Sequence, residues 1–171
     1  MNVLASVLFL IISFLLQSTL FSQFALVGTV PNLILISVST IGFILGKKYG
    51  MIAGFVTGLF VDIFFGSIIG LYAMLYMYVG FTNGLFKRIL YTHDIKLPLL
   101  LIVASDFIYG NLCYILMFLL KGDFRYTYYL TSVIFPEVVY TTVIAFLYFP
   151  LMQFVFTKIE RFEDKAEDII E

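Results

Sequence analysis

The sequence has no tryptophan, one cysteine and one histidine, and charged residues make up only 12% of its 171 positions. Because Cys113 is alone, the chain offers neither an internal disulfide nor a cysteine-rich metal site, and His93 alone offers no histidine cluster for zinc. The net charge of -1 gives no electrostatic basis for binding nucleic acid. We therefore expect no metal, no cofactor and no nucleic-acid partner.

Apolar residues are abundant instead. They make up 62% of the chain, and the mean hydropathy is +1.06, whereas soluble domains are about 45–50% apolar and about 25% charged. This composition predicts an all-α integral membrane protein. The first segment lacks a basic start and its apolar run is too long for a secretory signal, so we expect a retained membrane helix there.

Six segments approach the length of about 20 mainly apolar residues that a membrane helix needs. They predict a six-helix transmembrane domain at 1–157 and a short cytoplasmic amphipathic tail at 158–171. The predicted spans are 3–22, 31–46, 49–66, 68–86, 97–120 and 130–157.

The last segment is longer than one crossing needs, and Pro136 interrupts it. We expect an interfacial piece at 127–135, a break, and a true span from Glu137 to about Phe156. In the tail, the spacing of apolar residues predicts a stripe on one helix face. The stripe consists of Ile159, Phe162, Ala166 and Ile169 or Ile170.

Basic residues set the predicted orientation, since Lys and Arg accumulate on the cytoplasmic side of membrane proteins. With six spans both termini share a side, and that side collects eight of the ten basic residues; the other side has only Lys121 and Arg125. Both termini are therefore predicted in the cytoplasm. The eight are Lys47, Lys48, Lys87, Arg88, Lys96, Lys158, Arg161 and Lys165.

Glycine recurs at every fourth residue over spans two and three and the turn into four, with Asp62 in one slot of the pattern. Residues four apart share a helix face, and small residues there let another backbone approach closely. The neighbour is either another helix of the same bundle or a partner helix. The predicted helix-packing or partner-binding residues are Gly50, Gly54, Gly58, Asp62, Gly66 and Gly70, and Gly42 and Gly46 continue the pattern.

Three carboxylates, Asp62, Asp106 and Glu137, fall at predicted membrane depth, where an acid costs at least ~2.5–3.5 kcal/mol. We expect them to converge with Gln17 and Asn111 in the outer half of the bundle. There they would form a polar cavity, a partner's hydrogen-bonding site, or struts that hold helix register. No nucleophile, histidine or metal set accompanies them, so no catalytic residue is predicted.

Four fragments carry a resemblance to a known family. They are "LLQSTLF" at 15–21, "VPNLILI" at 30–36, "GFVTGLFVDIFFGSIIGLYAM" at 54–74 and "FPEVVYTT" at 135–142. In their order and spacing they resemble the MreD family of bacterial rod shape-determining membrane proteins. The third fragment resembles the family's most distinctive block, and the resemblance covers almost the whole chain.

The resemblance implies a non-enzymatic subunit of the cell-elongation machinery in the bacterial cytoplasmic membrane. Such a subunit would bind the single-pass protein MreC and work with the RodA polymerase and its transpeptidase partner in peptidoglycan synthesis. The implied fold resembles the substrate-binding (S) subunits of energy-coupling-factor vitamin transporters. We expect the glycine stripe and Asp62 to touch a partner, with Pro31 and Pro136 shaping the outer rim.

The shared fold supplies an alternative function, that of a vitamin-binding S subunit. Two features of the sequence argue against it. The first span lacks the ladder of small residues by which those subunits dock, because Ala5 is followed four residues on by Phe9. The chain also has no tryptophan and no extended polar loop to cap a ligand. An enzyme that acts within the bilayer is a more distant alternative.

Overall fold

The computed structural model describes residues 2–20, 29–66, 68–88, 95–117 and 124–167. Almost all of this part is helical. The α-helices are α1 Asn2–Leu15, α2 Leu33–Leu45, α3 Lys47–Phe65, α4 Leu71–Leu85, α5 Lys96–Met117, α6 Tyr126–Tyr129 and α7 Phe135–Glu167. Single π-helical turns follow α1 at Leu16–Leu20 and α6 at Leu130–Ile134, and a 3-10 turn follows α4 at Phe86–Arg88. His93 lies outside the described residues.

Within the described part, four helical segments are long and apolar enough to cross a membrane. Two further helices are shorter than these four segments, since α2 has 13 residues and α4 has 15. The predicted helical architecture with membrane-compatible helices is confirmed, whereas the count of six spans and the likeness to an S subunit remain predictions. The four segments are Asn2–Thr19, Lys47–Phe65, Lys96–Met117 and Tyr126–Phe162.

Helix α2 forms the centre of the bundle. Every residue from Leu33 to Phe43 is buried, because α3, α4, α5, α7 and α1 all pack against this helix. Ser37, Ser39 and Thr40 are buried with the apolar residues, so α2 has no solvent face and belongs in the core. The surrounding helices expose apolar side chains such as Leu4, Phe64 and Leu147, which suits contact with lipid.

A single glycine joins α2 to α3. Gly46 has a φ of +100°, which glycine adopts readily and other residues rarely do. Its N–H donates to the Gly42 carbonyl, and its own carbonyl accepts from the Gly50 N–H. The chain therefore reverses direction within very few residues. The two helices therefore form a tight antiparallel hairpin, and Lys47 and Lys48 begin α3.

The predicted break before Glu137 is absent from the structure, and only the helix type changes there. The chain stays helical from Tyr126 to Glu167, and a π-helical turn precedes Pro136. The Phe135 N–H bonds back to the Leu130 carbonyl, five residues away. A proline ring clashes with the carbonyl four residues earlier in a regular helix, and the wider turn relieves that clash.

Helix α7 continues past residue 157, where the tail was predicted to begin, and ends at Glu167. Pro150 lies inside it. Ile159 and Phe162 belong to this extension, but the predicted apolar stripe also includes Ala166, Ile169 and Ile170. The side chains of those three residues lie outside the described part of the chain, so the stripe stays a prediction.

Candidate functional site

The glycine stripe lies against α4 of the same chain. A Cβ atom built on Gly54 would come within 2.1 Å of the Tyr76 carbonyl oxygen, and one on Gly50 within 2.4 Å of the Gly80 carbonyl oxygen. The contact is matched from the other side, since a Cβ on Gly80 would lie 2.0 Å from the Gly50 oxygen. The backbones of α3 and α4 therefore touch directly.

The other glycines of the pattern lie at the ends of this contact. Gly58 meets the first turn of α4, where a Cβ would lie 2.6 Å from the Cα of Ala73. Gly66 follows the last residue of α3, and Gly70 precedes α4 with a φ of +100°. The predicted packing surface is thus a helix hairpin within the chain, and a partner helix is not needed to explain it.

Asp62 holds the start of α4. It is 1% exposed, and its carboxylate accepts hydrogen bonds from three backbone N–H groups, those of Gly70 at 3.0 Å and of Tyr72 and Ala73 at 2.9 Å each. The first N–H groups of a helix have no partner within the helix, and negative charge is favoured there. The carboxylate of α3 therefore caps α4 and closes the hairpin.

A second polar group surrounds Asn32, the residue before α2. Its side-chain oxygen accepts from the Leu35 N–H at 3.1 Å and from the Tyr76 hydroxyl at 3.0 Å. Its backbone N–H donates to the Thr141 hydroxyl at 3.0 Å. The Tyr109 hydroxyl donates in turn to that of Tyr76 at 3.1 Å, and the two rings stack with centroids 4.9 Å apart. One asparagine thus links α2, α4 and α7.

Asp106 belongs to the same polar group. It is 1% exposed, and its Oδ1 accepts from the Asn32 side-chain amide at 3.3 Å. Its Oδ2 is buried and accepts no hydrogen bond of regular geometry from the described residues, although the Thr141 side chain is close enough to interact with the carboxylate. Glu137, at the start of α7, interacts electrostatically with Asp106. The structure therefore places Asp106 in the Asn32 network and leaves Asp62 engaged with α4.

Gln17 and Asn111 are placed differently. The side-chain oxygen of Gln17 accepts from the Ile34 N–H at 3.1 Å and so caps α2 from the π-helical turn after α1. Asn111 lies nearer the surface, where its side-chain oxygen accepts from the Tyr126 hydroxyl at 2.7 Å. Gln17 thus supports the start of α2, while Asn111 ties α5 to α6.

Further polar contacts follow α2 along its length. The Asn83 amide donates to the hydroxyls of Ser39 at 3.0 Å and Ser105 at 2.9 Å, which joins α2, α4 and α5. Ser13 pairs with Ser37 at 2.6 Å and with the Tyr148 hydroxyl at 2.7 Å. Lipid cannot satisfy such groups, so they hold neighbouring helices in register.

Asn32, Tyr109 and Thr141 are not among the site residues that the sequence predicts. Asn32 carries a usable signal, since an asparagine directly before an apolar helix is a favoured N-cap. Thr141 and Tyr109 carry no local signal, because their role depends on which helices meet.

The Tyr76 hydroxyl offers a direct test of this network. We expect Tyr76→Phe to lower the free energy of unfolding by about 1–3 kcal/mol, because the Tyr109 hydroxyl loses its buried acceptor and Asn32 loses a donor. Thermal unfolding of the purified protein in detergent measures the change. Tyr78→Phe is the control, since Tyr78 lies on the same helix but is 55% exposed. Equal stability of the two variants would contradict a structural role for the network.

The chemistry of the site is that of hydrogen bonding and charge. Among the residues that the structure describes, no three His, Cys, Asp or Glu side chains come together as ligands for a metal ion. Asp62 already accepts three hydrogen bonds from the backbone, and Cys113 is buried. The carboxylates therefore serve as hydrogen-bond acceptors, Asp62 as the cap of α4 and Asp106 as a partner of the Asn32 amide.

These features define a helical membrane protein built around a buried central helix, with carboxylates held inside the bundle. A family model described as rod shape-determining protein MreD matches residues 1–159. The chain belongs to the MreD family, as the four sequence fragments predict, and it is therefore a rod shape-determining membrane protein. No curated protein and no solved structure gives a significant match.

Proposed function

We propose that the chain is a non-enzymatic scaffold subunit of the bacterial cell-elongation complex. In this role it binds MreC and supports peptidoglycan synthesis by RodA and its transpeptidase partner. The observation that carries the proposal is the family match over residues 1–159, which includes all the helices that build the bundle except the end of α7.

The buried polar groups cap helices and join them to one another, which suits a scaffold. Asp62 caps α4, Gln17 and Asn32 cap α2, and the hydroxyl groups described above join helices to one another. A scaffold needs a rigid shape to present to its partners. Interhelical hydrogen bonds and close backbone contact supply that rigidity in a membrane.

We further propose that the protein lies in the bacterial cytoplasmic membrane with both termini in the cytoplasm. Eight of the ten basic residues support this orientation if the chain crosses six times. Helices α2 and α7 would then begin near the outer surface. Tyr126 and Tyr128, which are 41% and 66% exposed, would lie at the interface where an aromatic ring with a polar tip is stable.

Depletion and co-purification test the proposal together. We expect cells of the source organism to lose their rod shape when the protein is depleted, and the tagged protein to co-purify with MreC from membranes. Mass spectrometry of the denatured protein provides the competing observation. A tightly bound vitamin, released only on denaturation, together with the absence of MreC, would contradict the scaffold and favour a transporter subunit.

A further inference from the structure

A groove with a volume of about 310 Å³ runs along the outside of the bundle between α4 and α5. Its lining extends from Leu75 to Phe86 on α4 and from Leu101 to Leu112 on α5. Leu75 and Tyr109 in this lining are buried, whereas Tyr78 and Ile108 are 55% and 57% exposed. We call this space the α4–α5 groove. It has a buried floor and exposed rims, so a molecule beside the bundle can enter it.

The polar groups at the floor of the groove already have partners. The Asn83 amide donates to the hydroxyls of Ser39 and Ser105, and the Ser105 hydroxyl donates to the Asn83 side-chain oxygen at 3.3 Å. The hydroxyl of Thr82 donates to the backbone carbonyl of Tyr78 at 2.8 Å. These groups need no hydrogen bond from a ligand, and most of the remaining lining is apolar. The groove therefore suits an apolar ligand.

The size of the groove selects the shape of that ligand. The stretch from Leu75 to Phe86 rises about 17 Å at 1.5 Å per residue. A partner helix of this length and about 10 Å in diameter would fill on the order of 1,300 Å³, which is about four times the volume of the groove. A single aliphatic chain is long and thin enough to lie in this space, whereas a helix is too wide.

Positive charge lies at one end of the groove. Lys87 directly follows Phe86, where the lining of α4 ends, and Lys96 begins α5 five residues before Leu101. Within the part of the chain that the structure describes, α4 and residues 96–105 of α5 contain no acidic residue. Basic side chains at the end of a membrane helix attract the phosphate of an anionic lipid headgroup. The charge at this end therefore complements the headgroup of a lipid whose chain lies in the groove.

We propose that the α4–α5 groove binds one acyl chain of an anionic phospholipid, with the phosphate at the end marked by Lys87 and Lys96. The chain fills the space that α4 and α5 leave between them, and the lysines select an anionic headgroup over a neutral one. The site is distinct from the Asp62 cap and from the polar group around Asn32. It does not depend on the proposed scaffold function.

Native mass spectrometry of the full-length protein in a mild detergent tests this inference. The protein is titrated with phosphatidylglycerol or with phosphatidylcholine of the same acyl chains, and the dissociation constant of the first bound lipid is measured. We expect one saturable site that binds phosphatidylglycerol at least about tenfold more tightly than phosphatidylcholine, because each lysine near the phosphate favours the anionic headgroup.

One pair of variants tests the position of the acyl chain. Ala104 lines the groove and is exposed, so Ala104→Phe places a ring in the space of the chain without entering the core. We expect this variant to lose the first lipid. Leu100→Phe is the control, because Leu100 lies on the same helix, is 63% exposed and does not line the groove. It should bind lipid as wild type does.

A second pair of variants tests the position of the headgroup. Lys87→Gln with Lys96→Gln should reduce the affinity for phosphatidylglycerol to that for phosphatidylcholine. Lys158→Gln with Lys165→Gln removes the same charge from α7, away from the groove, and should leave the preference unchanged. Thermal unfolding of all variants without lipid should match wild type, which separates a lost site from a lost fold. The lysine variants test the site even if Ala104→Phe fails to fold.

Three results would overturn the inference. The first is wild-type affinity of Ala104→Phe for phosphatidylglycerol, which would show that the chain lies elsewhere. The second is equal binding of the two lipids by wild type, or binding without a saturable first site. The third is release of the lipid by purified MreC together with loss of MreC binding in Ala104→Phe, which would assign the groove to a partner helix and leave the scaffold function standing.

Discussion

Gly58→Leu is expected to disrupt the α3–α4 hairpin and to prevent stable folding of the bundle. A Cβ at this position would lie 2.5 Å from the Tyr72 carbonyl oxygen and 2.6 Å from the Cα of Ala73. Both atoms belong to the backbone and cannot turn aside as a flexible side chain can. The added bulk should lower the free energy of unfolding by at least about 3 kcal/mol, the upper end of the usual cost of over-packing.

The yield of folded protein in detergent and its thermal unfolding measure the effect of Gly58→Leu. Val56→Leu serves as the control, because Val56 lies two residues away on the same helix and is 44% exposed. Gly58→Ala should give an intermediate loss of stability. Wild-type yield and stability for Gly58→Leu would show that α3 and α4 do not touch as described.

Asp62→Leu is expected to destabilise the protein nearly as strongly, for a different reason. The substitution leaves the N–H groups of Gly70, Tyr72 and Ala73 without their acceptor, and an unmade buried hydrogen bond costs about 1–3 kcal/mol. Asp62→Asn should be milder, because its amide keeps one oxygen as an acceptor. We therefore expect the order of stability to be wild type, then Asn, then Leu.

Thermal unfolding of the three proteins in one detergent checks this order. Ile63→Leu is a suitable control, since Ile63 is the next residue along the chain and is 61% exposed. If Asp62→Leu and Asp62→Asn unfold at the same temperature, the carboxylate does not act as a cap.

Some features of the bundle are readable from local sequence. Spacing of four between glycines predicts a face that another backbone approaches, since residue periodicity decides which side chains share a helix face. The spacing does not show which helix packs against that face. Gly50 and Gly80 are 30 positions apart in the chain, and only the fold of α3 onto α4 shows that they meet.

For the acids too, the sequence predicts one part of their behaviour and only the fold decides the other. Composition predicts that Asp62, Asp106 and Glu137 avoid lipid, because a carboxylate in hydrocarbon is costly. Their separate roles depend on the neighbours that folding provides. Asp62 reaches the start of the next helix, whereas Asp106 accepts a hydrogen bond from the Asn32 amide.

By itself, the sequence determined that this is a helical membrane protein of the MreD family, because apolar composition and short motifs are properties of the chain. Tertiary structure alone decided that α2 is the buried centre, that the glycine stripe meets α4, and that Asp62 caps a helix while Asp106 joins the Asn32 network. The physical reason is that a hydrogen bond or backbone contact between distant residues exists only after the helices have packed.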